Sequence, residues 1–138
     1  MNKWLTKNTV LLIGLAGTIA LLFLGVSQNS KLCSYGSWCE KNWDFVSSVG
    51  NFLHIFPIIL LFAFILWNMS NKIFVIWRNF IYWWLPLYAF IVFASPSSSH
   101  GWALSGPNQE TSAFIMNGLF FLISLILIAY KSYRLRGK

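Results

Sequence analysis

The side chains able to do chemistry are few, so their spacing decides what they can do. Cys33 and Cys39 are separated by five residues, with Gly36 between them to help the chain turn. Such a pair closes a small loop as a disulfide when it faces an oxidising compartment. Two cysteines and two distant histidines, His54 and His100, do not make a zinc spacing pattern. If the loops fold over the helices, His54 can meet Glu110, and a carboxylate there would favour the charged imidazole. Such a pair suits proton transfer or the orientation of a ligand. The simpler expectation is that His54 occupies the wet membrane interface and His100 is exposed. No H-E-x-x-H motif, phosphate-binding glycine loop, nucleophile elbow, dinucleotide fingerprint or haem C-x-x-C-H motif occurs. The sequence therefore points to no catalytic residue, cofactor or metal.

A second pattern is polar rather than reactive. Glu110, Asn117, Ser124 and Lys131 recur every seven residues, two helix turns apart, and so share one face. Asn117 lies well inside an apolar run, where a polar side chain seeks a partner on another helix. Asn117 and Ser124 are thus expected to face the bundle. Gly14, Gly17 and Thr18 lie roughly on one side of the first apolar run and allow close helix packing, which makes Gly14 and Thr18 candidate contacts.

These positions need membrane helices to carry them. Apolar residues make up 57% of the 138-residue chain and charged residues 9%, against about 25% in a soluble domain. Lipid is the solvent such a composition suits. The expected fold is all-α: a single domain, a compact four-helix transmembrane bundle with short connections and two outer loops. The spans are expected near residues 10–26, 52–69, 73–94 and 111–130, each close to the length a bilayer requires. The first run exceeds the usual core of a signal peptide, so it is read as a retained helix. The stretch from Phe52 to Ala94 is a tight hairpin turning near Asn68–Lys72. Residues 42–52 carry rings at 43, 45 and 52 and read either as a short interfacial helix or as a surface loop. Pro57 is harmless near a helix start but kinks a helix that begins earlier. Pro86 is interior and predicts a kink. Thr111 or Ser112 is the expected cap of the last helix.

The net charge of +7 is topological rather than a nucleic-acid footprint. Eight basic residues (Lys3, Lys7, Lys72, Arg78, Lys131, Arg134, Arg136 and Lys138) fall on one side of the spans, and only Lys31 and Lys41 on the other. The positive-inside rule then places both termini in the cytoplasm and loops 27–51 and 95–110 outside, with the bacterial inner membrane as the expected location. Arg78 can snorkel to headgroups. Trp83 and Trp84, with His54, Arg78 and Glu110, are candidate interface or ligand contacts.

A four-span layout with cysteines in the first outer loop resembles the bacterial quinone-linked disulfide oxidases in topology. That family has a tight C-x-x-C and a second cysteine pair, whereas Ser95–Glu110 has no cysteine, so no relay between pairs exists in this chain. The layout also resembles the claudin-type topology, of which Trp38-Cys39 is the only echo. The sequence is best read as a small membrane accessory or interaction protein, a helix-packing subunit whose partners are lipids and other membrane subunits. An immunity protein against a pore-forming toxin, or a small lipid or solute transporter, are the alternatives.

Overall fold

The computed structural model describes residues 6–29, 42–96 and 108–136. These form α1 (Lys7–Asn29), α2 (Trp43–Leu53), α3 (Phe56–Trp67), α4 (Asn71–Ala94) and α5 (Gln109–Arg136), with no strand among the described residues. Four stretches are long and apolar enough to cross a membrane: Lys7–Gly25, Asp44–Trp67, Asn71–Ala94 and Gln109–Arg134. The protein is an all-α four-helix membrane bundle.

The second of these apolar stretches, Asp44–Trp67, takes in both α2 and α3. The reason is length. The 12 residues of α3 rise only about 18 Å, short of the roughly 30 Å of a hydrocarbon core. The 11 residues of α2 supply the rest. The interruption at His54–Ile55 therefore falls within the span. Pro57 sits at the start of α3 and has no amide hydrogen to offer the carbonyl of Leu53 four residues back. Ile58 and Ile59 both turn to the Ile55 carbonyl instead, at 3.1 and 3.0 Å. Pro86, by contrast, lies inside α4, which continues from Asn71 to Ala94.

Local chemistry sets the helix ends. Thr6 caps α1 by accepting the Thr9 amide at 3.3 Å. α5 starts earlier than Thr111 or Ser112: Asn108 is its cap, its Oδ1 accepting the Thr111 amide at 2.9 Å in the side-chain geometry favoured for that residue. The Lys7 ammonium donates to the carbonyls of Trp67 at 3.2 Å and Met69 at 2.6 Å. A cation thus closes the exposed carbonyl end of α3, tying the first span to the tip of the hairpin.

Packing follows the small residues and the rings. α1 and α3 approach most closely, because Gly14 faces the backbone of Leu60 and Gly17 faces Phe56. α4 packs along α5. Between them lies a core in which Phe62 of α3 meets Trp77 of α4 and both Phe120 and Phe121 of α5. Phe80 stacks on Phe120.

Candidate functional site

Breaking a helix inside a membrane leaves the carbonyls of its last turn without intrahelical partners. In lipid, where no water can take their place, such groups must be met by protein. Tyr88 of α4, fully buried, meets one of them: its hydroxyl donates to the Asn51 carbonyl at 2.8 Å. Asn117 of α5 has its Oδ1 buried and without a hydrogen-bond partner.

Beside this contact, between the α2–α3 break and α5, lies a cavity of about 480 Å³. Its polar lining comes from Asn51, His54, Glu110 and Asn117, and its apolar walls from Ile58, Ala113, Phe114 and Phe121. Gly118 completes it, and a Cβ added there would meet nothing within 4 Å. Glu110 is exposed at the start of α5. Asn117 is seven residues further along, about 10 Å deeper. The cavity therefore runs from the membrane surface to the depth of the helix break.

The polar face of α5 is otherwise spent on its neighbours. Ser124, fully buried, accepts the indole N–H of Trp77 at 3.1 Å. Ser112 and Ser95 join their hydroxyls at 2.9 Å, with Ser95 also on the Ile91 carbonyl at 2.8 Å. Ser48 Oγ lies 2.7 Å from the Asp44 carbonyl and 2.9 Å from Gln109 Oε1. One hydroxyl proton cannot serve two acceptors. Turning the Gln109 amide so that its NH₂ faces Ser48 satisfies all three groups.

The positions singled out from sequence are distributed as follows. His54, Glu110 and Asn117 share the cavity. Ser124 sits deeper, on Trp77. Gly14 lies at the α1–α3 contact, whereas Thr18 donates its hydroxyl to the Gly14 carbonyl within α1 at 2.7 Å. Arg78 lines a separate, apolar groove of about 270 Å³ with Val10, Ile13 and Pro86. Trp84 packs on Phe80 and Phe120, its buried indole nitrogen without a hydrogen-bond partner, while Trp83 is 77% exposed. Cys33, Cys39 and His100 lie outside the described residues. No group of three or more metal-ligating side chains occurs among the described residues.

Sequence reasoning missed Tyr88, Trp77, Lys7, Ser48 and Gln109. Only Tyr88 left a usable signal: a hydroxyl within an apolar helix needs a partner just as Asn117 does. Comparison with protein-family models, with curated proteins and with solved structures finds no match to this chain.

Proposed function

We propose that this small membrane protein is an accessory component of a larger membrane assembly, and that the outward stripe of α4 receives a transmembrane helix of its partner. One observation carries the reading. Asn79, Tyr82 and Trp83 are all exposed, at 60% for Tyr82 and 77% for Trp83, and they straddle the midpoint of the span Asn71–Ala94. Tyrosine and tryptophan ordinarily collect at the two membrane surfaces. At mid-span, the amide, phenol and indole would lie against hydrocarbon, where an unpaired amide or hydroxyl costs roughly 2 kcal/mol or more. A partner helix that hydrogen-bonds this stripe removes the cost. An immunity protein would use the same mode of contact, with a toxin helix in the partner's place.

The test uses the full-length chain carrying an affinity tag and purified from native membranes in digitonin. A stoichiometric membrane partner is expected, and the double variant Asn79→Leu, Tyr82→Phe should lose it. Both side chains face away from the core, so the variant should keep the wild-type helix content and melting behaviour. Undiminished partner recovery by that variant, or a monodisperse chain with no partner, would sink the reading.

Transport is the second reading, and the cavity beside Asn117 favours it. The pairing of Ser124 with Trp77 weighs against a continuous polar path along α5. A solute flux abolished by Asn117→Leu, with partner binding intact, would reverse that ranking.

On the charge bias, this reading has both termini in the cytoplasm and Cys33 and Cys39 outside, where an oxidising compartment would join them. In a Cys33→Ser, Cys39→Ser background, Ser98→Cys should react with a membrane-impermeant maleimide in intact cells and Lys138→Cys should not. The opposite pattern would invert the orientation. Peptide mapping of the unreduced wild-type protein, alkylated during lysis, should recover the Cys33 and Cys39 peptides linked, and two alkylated thiols would refute the bridge.

A further inference from the structure

We propose that the groove between α1 and α4 beside Arg78 seats one anionic phospholipid of the bilayer, its phosphate on the guanidinium and one acyl chain along the groove. Three observations lead there, and none of them needs a partner helix on the outward stripe of α4.

The first is a charge set among apolar walls. Arg78 is half-buried and lies seven residues into the span Asn71–Ala94, about 10 Å from its start. A charge inside a span is costly to leave against hydrocarbon. The groove around it is apolar, formed by Val10 and Ile13 of α1, Ile59 of α3, and Ile81, Leu85 and Pro86 of α4. A guanidinium stays charged and offers five N–H donors in a planar fork, so contacts within the chain and a phosphate can be served together. Two of those donors match two phosphate oxygens.

The second is the sign of that end of the bundle. Lys7 precedes Val10 by three residues, on the same side of α1. Its ammonium rests on the Trp67 and Met69 carbonyls, which are neutral, so its charge is not cancelled. Lys72 follows in the first turn of α4, and Lys131 and Arg134 stand in the last turns of α5. The described acids, Asp44 and Glu110, open α2 and α5. They lie at the opposite end, where Ser48 meets Gln109. A phosphate alone does not distinguish an anionic lipid from a zwitterionic one, because both carry it. The cationic end does, since a zwitterionic head brings its own ammonium into a positive field.

The third is shape. The α4 side of the groove runs from Arg78 to Pro86, about 12 Å of helix. It is charged at one end and apolar along its length, which is the polarity of a lipid. Its volume, about 270 Å³, is small for a compact ligand, whose sites start near 300 Å³. It takes the upper part of one acyl chain, and the second chain lies in the bilayer. Ile13 is 43% exposed, so the groove opens sideways to lipid, and the bilayer is the source of the occupant.

The experiment uses native mass spectrometry of the full-length chain, released from micelles holding equal amounts of phosphatidylglycerol and phosphatidylcholine with identical acyl chains. One phosphatidylglycerol per chain is expected, retained about tenfold over phosphatidylcholine. Arg78→Gln should bring the two lipids close to parity. Arg78→Lys keeps the charge and loses the fork, and should fall between the parent and Arg78→Gln. Arg134→Gln removes the same charge from the same end at an exposed site on α5, and should change the preference less than twofold. Ile13→Trp fills the groove from its open side, and should lower phosphatidylglycerol retention about tenfold without loss of helix content. Equal retention of the two lipids by the parent would overturn the proposal. An Arg134→Gln effect as large as that of Arg78→Gln would also overturn it, because the attraction would then belong to the whole end of the bundle. Undiminished retention in Ile13→Trp would remove the groove from the site, and this variant decides the matter even if Arg78→Gln fails to fold.

Discussion

Trp77→Ala is expected to lower the unfolding free energy of the bundle by about 3 kcal/mol, measured by denaturant titration in mixed micelles. The side chain is 1% exposed and touches Phe62 and Phe74, so its removal opens a hole at the junction of α3, α4 and α5. Truncation of a buried aromatic costs about 3–5 kcal/mol in soluble proteins. The lower end is appropriate here, because helices associating in lipid gain little from apolar transfer and depend on packing contacts. The hydrogen bond to Ser124 is a separate and smaller contribution. Ser124→Ala keeps the ring and removes the acceptor, and should cost roughly 0.6–2 kcal/mol. If Trp77→Ala costs no more than Ser124→Ala, the ring cluster is not what holds the three helices together.

Gly17→Val should separate α1 from α3. A Cβ at this position would come within 2.8 Å of the Phe56 Cβ and closer still to its ring. Phe56 begins α3 immediately after the break, and its ring already packs edge-on against Phe52, so it has little freedom to retreat. Overpacking of this kind costs about 1–3 kcal/mol. The expected readout is a shift of that size in mixed-micelle unfolding. A disulfide introduced between α1 and α3 should also form less efficiently than in the parent protein. Gly25→Val is the matched control. Nothing lies within 4 Å of a Cβ there, so this variant should be indistinguishable from the parent. Equal effects at Gly17 and Gly25 would mean that the glycines matter for the helix alone and not for the contact.

The contrast between those two glycines shows where sequence reading stops. Gly14, Gly17 and Gly25 share a residue type and a helix, yet only the first two oppose another backbone or ring. Which face of α1 meets α3 is a property of the pair and cannot be read from one partner. Lys7 is a similar case. As a charge it reads as a topology signal, but its position against the carbonyls of Trp67 and Met69 depends on the docking of two segments sixty residues apart. The cavity was half legible. His54, Glu110 and Asn117 stood out as polar residues in an apolar setting, and they share one space. Tyr88 and the Asn51 carbonyl, which meet at the helix break, did not stand out. The expected start of the second span at Phe52 hid the break that exposes that carbonyl.

The sequence by itself determined that the protein is an all-helical membrane bundle of four spans, because a bilayer tolerates few spanning structures and requires a minimum apolar length for each. It also placed the hairpin turn between α3 and α4. Only the tertiary structure decided that the second span is broken near its middle, that Tyr88 crosses from α4 to repair the break, and that Asn117 is left with a buried, unpaired acceptor. Hydropathy measures how well each segment dissolves in lipid. It contains no information about which backbone groups a proline leaves unpaired or which helix comes close enough to satisfy them.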